Sequence, residues 1–259
     1  MTHSLHPTAQ KGFSSAAELY QQVRPSYPAE IVQWLKHDLQ LTAESSVVDL
    51  GSGTGKFLDY LKQVTSHITA IEPVTEMLEQ LKIVHPEVHA LQASSDNIPL
   101  SSECVDAVLC AQSFHWFSNI ETLNEIHHIL KPEGHLGLVW NQRDEEVVWV
   151  KALADLIARY EGNTPRYHSG EWKKVFENQF LFKLEGVKLL SQLQKGTVED
   201  VVSKRFLSTS FIAAMPQEQQ LQLKRQLEQI ILEHIGKHPQ DEIEFPYITY
   251  AYHFKKIES

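Results

Sequence analysis

The chain has 259 residues, 42% of them hydrophobic, and a formal net charge of −10 with histidine neutral. That length suffices for one α/β domain with an elaboration. The acidic balance, with no run of Lys or Arg longer than two, argues against nucleic acid as a partner; no apolar run approaches the ~20 residues of a membrane helix and no basic-apolar signal segment opens the sequence, so no membrane partner and a cytoplasmic location are expected.

In chain order, the first expected element is an N-terminal helical segment carrying Leu19 and, beyond Pro28, Ile31, Val32 and Leu35. A strand near 46–50 follows, because the β-branched Val47 and Val48 suit a buried parallel strand. It runs into Asp49-Leu50-Gly51-Ser52-Gly53-Thr54-Gly55, after which Phe57, Leu58 and Leu61 recur at helical spacing. The reading is strand, tight turn, helix. Glycines at 51, 53 and 55 allow positive φ and keep side chains away from a ligand, and the helix start beyond them offers unpaired N–H groups. A dinucleotide fingerprint would place its third glycine at 56, where Lys56 stands; a phosphate-binding P-loop would need Ser or Thr after Gly-Lys, where Phe57 stands. Both fit poorly.

The next apolar run, Ile68 to Ile71, ends in Glu72, about 20 residues beyond the first glycine, where a βαβ nucleotide site sets its ribose-binding carboxylate. A carboxylate accepts two hydrogen bonds at once, which suits vicinal ribose hydroxyls, so Glu72 is the expected ribose ligand. Further strands are expected near 88–91, 105–110 and 135–141, alternating with helices, which predicts a parallel sheet covered on both faces. Cys104 and Cys110 lie about 20 Å apart along one extended run, beyond disulfide reach, and are expected to be reduced. Past the fifth strand the pattern loosens. Helical spacing returns at Val148 to Ile157, Val198 to Leu207 and Gln217 to Ile235, while Val187 to Leu193 and Tyr247 to Phe254 read as strands. Gln217 to Gln229 reads as a solvated amphipathic helix, with a partner-binding helix as the alternative.

Taken together, these segments resemble the class I S-adenosylmethionine (SAM) methyltransferases. The GxGxG turn with Asp49 two residues before it resembles their motif I, and Leu91 to Leu100 followed by Val105 to Phe117 is similar to the small-molecule enzymes of the type 11 group, including the trans-aconitate methyltransferase-like branch. Ile129 to Asn141 looks like the turn and fifth strand of that fold, and Tyr20 to Pro28 like an N-terminal signature of the branch. The resemblance covers roughly residues 12–145, taken as the SAM-binding core of a single methyltransferase domain spanning 1–259, with 146–259 as a helical elaboration and the last two strands. It implies an α/β, Rossmann-like, seven-stranded and mostly parallel sheet with an antiparallel last strand, helices on both faces and a helical cover near the active site.

The resemblance also implies SAM as cofactor and the residues around it. Asp49, Gly51, Ser52, Gly53 and Gly55 form the turn, Glu72 takes the ribose, Ser94, Ser95 and Asp96 border adenine, and Ala111 and Gln112 line the methionine half. Many members carry an acid where this chain has Ser94, so the backbone N–H of Ser95 or Asp96 is the alternative contact. Tyr20 and Arg24 are placed to meet the SAM carboxylate, or else to hold an Arg-Pro turn. His115, after the fourth strand, is the candidate general base or a pocket wall; Trp116 and Phe117 wall the pocket, and Trp140, Asn141 and Arg143 are placed to meet the acceptor. The histidines supply no metal set: Pro86 interrupts His85 and His89, and the adjacent His127 and His128 point about 100° apart on a helix. The expected activity is methyl transfer to a small molecule, foremost at oxygen, with an acidic acceptor in view because Arg24, Arg143 and Arg205 can converge in the fold. A noncatalytic SAM-binding interaction module and an NAD-linked oxidoreductase are the alternatives, and the oligomeric state is left open.

Overall fold

The computed structural model describes residues 23–258, so Tyr20 lies outside the described residues. Seven strands form one sheet in the order β3-β2-β1-β4-β5-β7-β6: β1 Val47–Leu50, β2 Ile68–Ile71, β3 His89–Leu91, β4 Val105–Ala111, β5 Leu130–Arg143, β6 Phe182–Thr197 and β7 Glu242–Lys256. The first five strands pair in parallel, and β7 runs antiparallel to both β5 and β6. This is the Rossmann-like arrangement expected from the sequence.

Strand side chains alternate between faces, so neighbours such as Val47 and Val48 enter different cores. Val47 packs with α1 (Ile31–His37), α2 (Leu58–Leu61) and Leu81 of α3 (Thr75–Val84). Val48 packs on the opposite face with Leu123, Ile126 and Ile129 of α4 (Ile120–Ile129), whose N-terminus is capped by Asn119 Oδ1 accepting from Thr122 N–H at 2.7 Å. A third core forms where α5 (Val148–Glu161) meets Ile243, Phe245 and Tyr247 of β7.

The second half departs from expectation in two places. The strand expected at 187–193 extends over the whole of β6, because β7 pairs with it from Phe182 to Thr197. The single helix expected at 198–207 is instead a π-helical turn, Glu199–Lys204, running into α6 (Arg205–Leu207) and then α7 (Ser210–Ala213). The wider turn keeps Val198, Val201, Val202 and Phe206 buried while Arg205 reaches the cleft at the carboxyl edge of the sheet. The last helix, α8 (Gln217–Ile235), buries Leu223, Leu227 and Ile231 at i, i+4, i+8 spacing against the third core. Because β1 lies between β2 and β4, the strand order reverses there and leaves a crevice at the carboxyl ends, where open α/β sheets bind ligands.

Candidate active site

The crevice is a cleft of about 860 Å³, open to solvent and lined by residues that include Asp49, Gly51, Ser52, Gly53, Glu72, Met77, Ala111, Gln112, Trp116 and Phe117. Gly51, Gly53 and Gly55 have φ of +71°, +58° and +87°. They are glycine for two different reasons. A Cβ on Gly51 would lie 2.7 Å from Ser113 Cβ, and one on Gly55 would lie 2.5 Å from His85 Cδ2, so at both positions the protein itself fills the space. Ser113 is held there by donating to Leu50 O at 2.8 Å, and His85 by Lys62 Nζ at 2.6 Å from its Nδ1. At Gly53 the nearest atom is Met77 Sδ, 3.7 Å away. The expectation that all three keep room for a ligand is therefore corrected: Gly53 does so, and the other two let the protein close beneath the turn.

Two buried acids face this turn. Glu72 Oε2 accepts from Gly53 N–H at 2.8 Å and its Oε1 from Val74 N–H at 2.9 Å, which ties the turn to the end of β2. Each oxygen keeps capacity for a second hydrogen bond. Burial pushes its pKa up to about 7 against the pull of those two N–H groups. Asp49 is 1% exposed, and neither carboxylate oxygen has a partner among the described residues. Burial likewise raises it to about 7, opposed by the nearby Ser52 hydroxyl and helped by the charge of Glu72. A buried acid without partners is costly until a cation or donor reaches it. A ligand with an ammonium, a sulfonium and a ribose diol, as SAM has, fits that requirement.

Beside the cleft lies a second chamber of about 460 Å³, and Arg24, Gln112 and Arg205 line both. Arg143 and Arg166 complete a ring of four guanidinium groups drawn from both halves of the chain. Arg24 precedes α1 and donates from Nη2 to Ser208 O at 3.1 Å. Arg143 ends β5 with its Cζ 4.8 Å from the centre of the Phe206 ring. Arg166 lies beyond α5, 5.2 Å from the Phe211 ring centre, and pairs with Glu161 at 2.7 Å. Arg205 is 7% exposed, and its Nε and Nη1 have no acceptor among the described residues. Burial and the neighbouring Arg205 lower Arg143 to about 10, so it stays a cation at neutral pH. Among the described residues that line the chamber, none is acidic.

His115 sits on the short helical turn Phe114–Trp116, and its Nδ1 accepts from Trp140 Nε1–H at 3.1 Å. Indole nitrogen is a donor only, which puts the imidazole proton on Nε2. Burial, then Arg166 and Arg24, push its pKa down to about 3. Trp140 and Arg143 line the chamber with it. Asn141 lies on the same wall, but its amide is committed within the fold: Nδ2 donates to Ser26 O at 2.9 Å and Oδ1 accepts from Thr249 Oγ1 at 2.6 Å. Gln112, at the junction of the two cavities, has φ +60° and donates from its backbone N–H to Val139 O at 2.8 Å. A non-glycine residue held in that conformation is strained, and such strain gathers at functional sites. Ser94, Ser95 and Asp96 are not among the residues lining the cleft, and Ser95 Oγ is paired with Thr122 Oγ1 at 2.8 Å. Sequence reasoning missed Arg166, Tyr167, His168 and Tyr247 of the chamber, and Lys56, which donates to Arg24 O at 3.0 Å and is lowered to about 8 by burial and Arg24. Of the four arginines, Arg24, Arg143 and Arg205 left a signal as scattered cations in an acidic chain, and Arg166 left none.

A family model for a methyltransferase domain matches residues 48–138. An uncharacterized methyltransferase-like protein of Schizosaccharomyces pombe is 33% identical over 249 residues, covering 95% of this chain and 96% of that protein. An uncharacterized methyltransferase of Mycobacterium bovis is 37% identical over 185 residues, covering 66% of this chain and 74% of that protein. Among solved structures, one assigned as a type II methyltransferase from Anaeromyxobacter dehalogenans is similar in fold, with a TM-score of 0.65 and 19% identity over 91% of this chain and 97% of that one.

Proposed function

This chain belongs to the SAM-dependent methyltransferases, and from that premise we propose that it methylates a small anionic acceptor at oxygen. The observation that carries this reading is the chamber of four arginines, with no lining acid among the described residues, that shares Arg24, Gln112 and Arg205 with the cofactor cleft. Two buried nitrogens of Arg205 without partners among the described residues favour an occupant that brings its own negative charge.

SAM, when bound, supplies a methyl group already activated on a sulfonium sulfur. The residues of the chain then have three tasks. Asp49 and Glu72 hold the cationic, diol-bearing donor, with Gly53 allowing close approach to the backbone; Arg24 is placed to meet a carboxylate where cleft and chamber join. Arg143, Arg166 and Arg205 hold the acceptor, and Gln112 stands between the two cavities. Trp116, Phe117 and Trp140 exclude water and fix orientation, which in aligned reactions can lower a barrier by ~7–11 kcal/mol.

Oxygen follows from the scarcity of bases among the described residues of the chamber. His115 has its Nδ1 occupied by Trp140, and His168 pairs with Glu161. A carboxylate oxygen has already lost its proton and asks for no base, so His115 acts as an Nε2–H donor and wall. The test is a panel of carboxylates, neutral alcohols and amines, read by formation of S-adenosylhomocysteine. Turnover is expected with carboxylates, and Arg143→Gln should raise their KM about tenfold or more, as losing a charge-assisted hydrogen bond implies, with SAM affinity held. Equal turnover of neutral amines, or an unchanged KM, overturns the reading.

A further inference from the structure

β6 ends the sheet, so one row of its backbone N–H and C=O groups meets no described strand. It is 16 residues long, whereas β3 at the opposite edge has 3. Proteins usually blunt such an edge by shortness, proline or inward-pointing charge. This one has no proline, and although Lys183, Lys188, Lys195 and a bulge at Glu185 guard it in part, it exposes Leu184 (49%), Val187 (40%), Leu189 (58%) and Leu193 (54%), with Phe180 just before it at 89%. The four strand residues share one face, opposite Phe254, Tyr252, Tyr250 and Pro246 of β7, while Lys188, Leu190 and Gln194 point the other way.

The spacing of these residues is self-complementary. Glu185 is the extra residue of a bulge, since Leu184 pairs with Phe254 and Gly186 with the adjacent His253. With a second β6 laid antiparallel and a two-fold axis at Val187, Val187 meets its own copy and Gly186 meets Lys188. Beyond the bulge, Leu184 meets Leu189, twice, on one face, and Leu193 reaches past the start of the partner strand toward the bend that carries Phe180. Glu185 of each copy, which pairs with Lys183 of its own chain, falls beside Lys188 of the other, which pairs with Asp38. Moving the axis to Leu189 would set Val187 against Ser191 and part Glu185 from Lys188. A two-fold contact requires a patch that matches itself, a condition a foreign strand does not impose. We propose that this chain forms a dimer in which β6 pairs with β6 of a second copy, joining the two sheets into one.

Sedimentation velocity on the full chain at micromolar concentration should give a dimer, and Val187→Lys, which sets two ammonium groups face to face on the axis, should give a monomer that still binds SAM. In a Cys104→Ser background, Val187→Cys should cross-link to itself with a short bismaleimide, and Leu189→Cys should cross-link to Leu184→Cys but not to itself. A wild-type monomer, a dimer that survives Val187→Lys, or self-cross-linking of Leu189→Cys equal to that of Val187→Cys would overturn the proposal. The cysteine pairs decide the register even if the lysine variant fails to fold.

Discussion

Replacing Asp49 with Asn is expected to stabilise the cofactor-free protein at about pH 8 and to weaken SAM binding. Asp49 ionises at about 7 in the fold, against an ordinary value of 3.8. Between those two values the folded state binds more protons than the unfolded one. The stabilisation is therefore complete below the lower value, declines as pH rises, and is gone above the higher one. At ~1.4 kcal/mol per unit, ionised Asp49 costs the fold up to ~4 kcal/mol above neutrality. Asn keeps the shape and avoids the charge, but it leaves a buried amide without a partner, which returns about 1–3 kcal/mol. The net gain for Asp49→Asn is thus about 1–3 kcal/mol at the higher pH, and it should vanish or reverse near pH 4. Glu72 is raised in the same direction, so the wild-type protein should lose stability across the same window. Urea unfolding across that pH range, with and without SAM, measures both effects. A variant no more stable than wild type at the higher pH, with SAM affinity reduced less than about tenfold, would refute the reasoning.

The glycine turn offers a comparison among its own members. Gly51→Ala and Gly55→Ala should each lower stability by about 1–3 kcal/mol, from strain at positive φ and overlap with Ser113 or His85, whereas Gly53→Ala carries the φ strain without the overlap and should cost about 1 kcal/mol while also weakening SAM; thermal unfolding with and without SAM separates the two outcomes. For His115, whose pKa is pushed down to about 3, the pH profile of kcat/KM should show no inflection belonging to it between pH 5 and 8, and His115→Asn should keep turnover within about tenfold. An inflection near 6.5 that disappears in the variant would make it a base after all.

The parallel half of the sheet was legible because its causes are local. Val47 and Val48 are β-branched, the glycines after them need positive φ, and Glu72 ends the next apolar run at the usual distance. The reason for Gly51 and Gly55 was not legible, since it lies in Ser113 and His85, which only the fold brings beneath the turn. β6 was read short because most of its residues are exposed, so no buried face marked its ends; pairing with β7 sets its length. Arg24, Arg143 and Arg205 could be picked out as scattered cations, but their meeting with Arg166 depends on contacts between distant parts of the chain.

The π-helical turn ahead of Arg205 bears on how such a protein can diversify. A π turn holds about one residue more than an α turn and takes up the surplus as a local widening, so deleting one residue between Glu199 and Lys204 would restore regular winding and leave the downstream turn on its present face. Arg205 would stay at the chamber, and Asp49, Glu72 and the glycine turn, at the ends of β1 and β2, would be untouched. A single codon lost or gained there is thus tolerated by both cavities, which lets this stretch of chain drift in length at little cost.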